Sequence, residues 1–66
     1  QVALFLRESK PDVFRVSLRA REPFDVSAVA AQFGGGGHKL ASGCSLTGTL
    51  ADAQARLLAA VAERLA

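Results

Sequence analysis

Val13 to Arg21 alternates strictly between apolar and polar positions, with Phe14, Val16, Leu18 and Ala20 on one side of an extended chain and Arg15, Ser17, Arg19 and Arg21 on the other. A period of two residues over that length predicts a strand with one buried face. Val2-Ala3-Leu4-Phe5-Leu6-Arg7 is rich in strand formers and predicts another. Between them Glu8-Ser9-Lys10-Pro11-Asp12 is a polar, proline-containing turn, so the simplest connection is an antiparallel hairpin. Pro23 closes the second strand. From Asp25 the rhythm becomes helical: Val26, Val29, Ala30 and Phe33 fall at i, i+3, i+4 and i+7, with Asp25 as N-cap and Gly34 suited to a left-handed C-terminal cap.

Beyond the glycine run Gly34–Gly37, alternation returns over Ser42 to Thr47, with Cys44 and Leu46 on one side, and predicts a third strand whose edges are blurred by Gly43 and Gly48. Leu50 to Leu65 places Leu50, Leu57, Leu58, Val61 and Leu65 on one stripe, and Thr49 and Asp52 have the spacing of a capping box. The expected order is strand, strand, helix, glycine loop, strand, helix. That is an α+β fold: a small mixed sheet of about three strands, one face covered by both helices.

The chain has 66 residues, too few to divide, so residues 1–66 are expected to form a single domain. A domain of this size buries only about 60% of its unfolded surface and is marginally stable. Half of the residues (50%) are hydrophobic, which fits a globular domain and excludes a disordered tail. Gln1 stands where a Met would start a chain and an apolar run follows at once, so a fragment of a longer protein is expected. No apolar run approaches the about 18–20 residues that span a bilayer, so no membrane partner is expected. The single Cys44 excludes an internal disulfide, cannot build a zinc site by itself and fits a reducing compartment, with the cytoplasm as the expected location. A net charge of +2 is too small to argue for nucleic-acid binding by bulk electrostatics, so the placement of the charges matters more than their sum.

The glycine run is the first candidate for chemistry. Successive glycines cost backbone entropy, permit positive φ and remove the Cβ atoms that keep a ligand away, so their N–H groups can converge on an anion. His38 and Lys39 follow at its exit, and a helical turn over Lys39–Ser42 would add free N–H groups. Glycine-rich turns also serve as plain helix exits. Walker A is excluded because His38 precedes Lys39-Leu40 where Gly-Lys-Ser/Thr is needed, and the dinucleotide fingerprint lacks its third glycine. The second candidate is the face carrying Arg15, Arg19 and Arg21, which could bind phosphates or stack on bases, or could simply be solvated. No Ser/His/Asp set or carboxylate pair stands near either feature, so no catalytic residue is assigned; Cys44 reads as a small buried hydrophobe.

Phe33-Gly34-Gly35-Gly36-Gly37-His38-Lys39-Leu40-Ala41-Ser42-Gly43 resembles the glycine-rich signature of the DHH-associated C-terminal domain of DHH-superfamily phosphoesterases. Val16–Arg21 and Asp25–Ala30 are similar to the strand and helix that precede it in that family, so the resemblance covers nearly the whole chain. It implies a manganese-dependent enzyme whose N-terminal DHH catalytic domain holds the metal in an Asp/His cluster absent here, so no cofactor or metal ligand is expected within this chain. It further implies that Gly35, Gly36, Gly37 and His38, with Arg19 on the neighbouring strand, contact a nucleotide or terminal phosphate; Arg21, Lys39 and Ser42 are subsidiary candidates. Ser42 stands where many relatives have Ala.

The compact arrangement resembles the type found in nano-RNases that also dephosphorylate 3′-phosphoadenosine 5′-phosphate, and in cyclic-dinucleotide phosphodiesterases. RecJ-like exonucleases and alanyl-tRNA editing proteins carry related domains, so the exact substrate stays open between short oligonucleotides and small nucleotides. A homodimer is compatible with this reading. The competing function is a freestanding, non-catalytic nucleotide- or RNA-binding module; a purely structural domain would leave the glycines and the arginine face unexplained.

Overall fold

Period two in the chain becomes a sheet whose faces differ chemically. The computed structural model describes residues 2–65. Their order is β1 (Val2–Lys10), β2 (Val13–Ala20), α1 (Val26–Gln32), β3 (Gly36–His38), β4 (Ala41–Thr47) and α2 (Leu50–Leu65). The strands form a four-stranded sheet in the order β1-β2-β4-β3, antiparallel at every pairing. The α+β class holds, with corrections to the expected sheet: it is antiparallel rather than mixed, and the second half of the glycine run supplies an extra edge strand. β2 and β3 run in the same direction, joined through α1, and β4 is inserted between them. This is a split crossover, which is why no parallel pair forms.

The β1–β2 hairpin turns at Pro11-Asp12, where Asp12 takes φ 61°, a left-handed conformation that Asp tolerates. Phe14, Val16 and Leu18 of β2 and Cys44 and Leu46 of β4 point to one side, and α1 and α2 cover it. Val2, Leu4 and Leu6 of β1 pack partly against the same core. β2 ends at Ala20, one residue short of the expected Arg21.

The expected stripe on α2 is corrected. Its buried residues are Ala53, Leu57, Ala60 and Val61, while Leu50, Leu58 and Leu65 stay 49%, 56% and 65% exposed. Leu50 and Leu65 lie in the terminal turns, outside the stretch that meets the core, and Leu58 points about 100° round the helix from Leu57. Alanines at 53 and 60 let the helix sit close to its neighbours. Thr49 Oγ1 accepts from Asp52 N at 3.2 Å, which provides one half of the expected capping box.

Asp25 caps α1, its Oδ1 accepting from Ser27 N at 2.9 Å and also from the Ser27 hydroxyl. The Ser27 side-chain hydrogen bond, the largest cause, holds the carboxyl below its ordinary value of 3.8. A carboxyl depressed by folding stabilises fully above its unfolded value, and that contribution is lost as pH falls through the folded one. The difference in melting temperature between wild type and Asp25→Asn should therefore be constant near neutrality and close below pH 3.8. Thermal melts across that range check it; a gap that widens in acid refutes the assignment.

Candidate functional site

The helices cover one face of the sheet, and the other carries the arginines. Arg19 and His38 are both in register with Ala41, from the two strands that flank β4. Cross-strand partners share a face, so Arg19, Ala41 and His38 form one row, with about 10 Å between the outer Cα atoms. Only a methyl group stands between the two polar side chains. The next row is Phe5, Ser17, Gly43 and Gly36, and the one beyond it is Arg7, Arg15 and Ser45. Arg15 Nη1 donates to Ser45 Oγ at 2.9 Å, and Arg19 Nη1 donates to the Leu18 carbonyl at 3.2 Å. No Asp or Glu occupies a position in these rows.

The glycine run does not form a free loop. Gly34, at φ 80°, ends α1: Gly34 N donates to Ala31 O at 3.1 Å and Gly35 N to Ala30 O at 2.9 Å, the two bonds of a Schellman cap. Gly35 is required by packing, since a Cβ there would lie 2.1 Å from the Gly43 carbonyl oxygen and 2.7 Å from Cys44 Cβ. Gly37 sits at φ 144° with the Ala41 oxygen and Ser42 Cα each 2.8 Å from where its Cβ would be. Gly36 differs, because a Cβ there meets nothing within 4 Å and its φ lies outside the left-handed range. The fold makes no demand for glycine at that position.

Two expectations about this segment are corrected. Gly36–His38 is strand, where successive N–H groups alternate in direction and do not converge as a nest. Lys39-Leu40 is the turn of the β3–β4 hairpin, so no helical turn forms over Lys39–Ser42, and Ala41 already belongs to β4. The turn is anchored by Val26 N donating to Lys39 O at 2.7 Å and Ala20 N to Leu40 O at 3.0 Å.

Among the subsidiary candidates, Ser42 is 6% exposed and its hydroxyl donates to the His38 carbonyl at 2.5 Å. It lies on the core side of β4 and steadies the His38 backbone from beneath. Lys39 is exposed in the turn beside His38. Arg21 joins Arg19, Ala20, Val2 and Ala3 around a pocket of about 250 Å³ at the end of β1 and β2. Cys44 is buried, and burial raises its thiol pKa, partly opposed by Arg15, which keeps it a protonated core group.

Ser17 lies on the open face, as the alternation of β2 predicts, and Phe5 and Gly43 join it there as two positions the sequence reading does not single out. Strict alternation in Val2–Arg7, with Leu4 and Leu6 inward, would have pointed Phe5 outward beside Arg7. Among the described residues no group of three or more His, Cys, Asp or Glu side chains comes together to hold a metal ion. No helix among them is long and apolar enough to cross a membrane.

Oligoribonuclease NrnB of Bacillus subtilis (strain 168) is 59% identical to this chain over 34 residues, a stretch covering 50% of this chain and 8% of that protein. The chain therefore corresponds to a small part of that relative. The family model described as the DHHA1 domain matches residues 1–66, the whole length. The glycine-histidine signature, the arginine strand that precedes it and this match together place the chain in the DHHA1 domain family.

Proposed function

We propose that this chain is the substrate-holding domain of a manganese-dependent DHH phosphoesterase acting on short oligonucleotides or small nucleotides, of the nano-RNase and 3′-phosphoadenosine 5′-phosphate phosphatase type. The observation that carries this reading is the row Arg19–Ala41–His38 beside bare Gly36, on a face without carboxylates. A guanidinium offers a rigid fork of donors matched to two phosphate oxygens, and an imidazole offers a further donor from the opposite side. With Ala41 and Gly36 between and beside them, an anion can approach the sheet backbone without meeting a bulky side chain. The outward backbone edge of Gly37 in β3 supplies polar groups next to the same row. The name of the matched relative, an oligoribonuclease, supports oligonucleotides as the substrate class.

In this reading residues of a separate DHH domain would hold manganese, whose chemistry when bound would be activation of a water. Arg19 and His38 bind and orient the phosphate, and neither moves a proton in the chemical step. The domain works as a clamp whose contribution is positioning.

Gly36 provides the test. A valine there is compatible with an extended strand and meets no protein atom, but it fills the space above the sheet that a phosphate would enter. Gly36→Val in the full-length protein should leave the circular dichroism spectrum unchanged and weaken nucleotide binding at least about tenfold, the loss of one charge-assisted contact. Unchanged affinity in a folded variant removes the loop from the site. Nucleotide binding by the full-length protein without manganese-dependent hydrolysis would favour the freestanding module instead.

A further inference from the structure

We propose that the open face of the sheet holds more than one nucleotide, with Phe5 as a base-stacking platform and Arg7 and Arg15 as a second phosphate subsite. This extends the reading above and rests on it. Phe5 is 62% exposed although it sits within a nine-residue strand. One exposed apolar side chain is ordinary, but its row is not. Across the sheet Phe5 is followed by Ser17, Gly43 and Gly36, so nothing bulky rises beside the ring on the side facing the rest of the sheet. A planar group can lie against the ring and over the glycine floor at once. Every base has such a face, which makes stacking on an exposed aromatic tolerant of sequence.

The charges on either side of that row point to a polyanion as the occupant. Arg7 is directly opposite Arg15, and like charges so placed across a strand pair destabilise it. No carboxylate in the rows relieves them; Arg15 is held only by the neutral Ser45 hydroxyl. A phosphate between the two guanidiniums would turn that repulsion into a bidentate clamp. Arg15 and Arg19 lie four positions apart on β2, about 13 Å along the strand, with the Phe5 row midway. The face thus alternates cation, stacking surface, cation, so two phosphates of a single-stranded nucleic acid can rest on the cations while a pendant base from the stretch between them stacks on the ring. The flat, glycine-floored space beside the ring suits a planar group, which every base of such a chain offers.

The experiment measures binding of fluorescent penta-adenylate and of adenosine monophosphate to the full-length protein, with metal omitted to prevent turnover. The reported quantity is the preference for the longer ligand. Phe5→Ala should reduce that preference about 5- to 150-fold, the loss of one stacked base, and Phe5→Trp should retain it. Arg7→Ala and Arg15→Ala should reduce it as well and flatten the salt dependence of penta-adenylate binding.

A role for Phe5 in packing against another domain would lower the affinity for both ligands together, and an unchanged preference in Phe5→Ala with wild-type binding of both would leave only the Arg19–His38 subsite; either result overturns this proposal. Failure of the wild-type protein to bind either ligand overturns the functional reading itself and this proposal with it.

Discussion

Gly35→Ala should lower the melting temperature of the domain by about 10 °C or more, while the same change one residue later, Gly36→Ala, leaves its stability near wild type. The added methyl at position 35 would sit 2.1 Å from the Gly43 oxygen and 2.7 Å from Cys44 Cβ, inside the junction between the end of α1 and the centre of β4. Two of the obstructing groups are backbone in a paired strand, so relief requires moving α1 away from the sheet or breaking ladder bonds. Overpacking of a tight site costs about 1–3 kcal/mol and more where the backbone must shift. That is a large share of the stability of a domain this small. At about 4–8 °C per kcal/mol for domains of this size, a drop of about 10 °C or more in melting temperature is expected. At position 36 nothing lies within 4 Å, so the methyl enters solvent. Thermal melts of both variants beside wild type decide the matter. Equal melting temperatures would mean that the approach of α1 to β4 is looser than described.

The contrast between these neighbours shows where sequence reading succeeds and where it stops. Alternation in Val13–Ala20 identifies a strand and both of its faces because each face is set by a local rule of period two. The Asp25 cap, the Gly34 exit and the Thr49 start are equally local, each determined within a few residues. The extended conformation of Gly36–His38 is not local. Glycine has no strand preference of its own, and the segment is straight only because β4, running back from a tight turn, pairs with it. The same pairing gives consecutive glycines different duties: closing a helix, admitting a neighbouring backbone, exposing the sheet floor, and turning at positive φ. Composition shows only a run of one residue type.

The alliance of Arg19 with His38 is legible as a motif resemblance but not as geometry. It depends on β4 being inserted between the strands that carry them, so that both come into register with Ala41. The α2 stripe holds at Leu57 and Val61 and departs elsewhere for a related reason. Size alone favours Leu50, Leu58 and Leu65 over alanine for the buried side, yet Ala53 and Ala60 meet the core beside Leu57, because close approach to α1 and the sheet favours small residues over large ones.

Under the proposed function, Arg19→Ala and His38→Ala in the full-length protein should each lower kcat/KM while leaving manganese affinity unchanged. Each removes one of the two polar side chains of the Arg19–Ala41–His38 row, which holds no carboxylate. A charge-assisted hydrogen bond is worth about 1.5–3 kcal/mol, or about 10- to 150-fold in kcat/KM. The division between constants reports when the contact matters. If it holds ground state and transition state alike, the loss appears in KM; if it tightens as charge develops on the phosphorus oxygens, kcat falls as well. Arg19 and His38 flank Ala41 in one row, so in the proposed reading a single phosphate bridges them and loss of either contact weakens its hold on the other. The double variant should therefore lose less than the product of the single losses, a coupling that independent subsites would not show. Steady-state kinetics on a dinucleotide, with manganese titration for each variant, provide the readout. Wild-type kcat/KM in both single variants would remove these residues from the site. Loss of manganese binding in His38→Ala would make His38 a metal ligand instead, and multiplicative losses would separate the two side chains onto different phosphates.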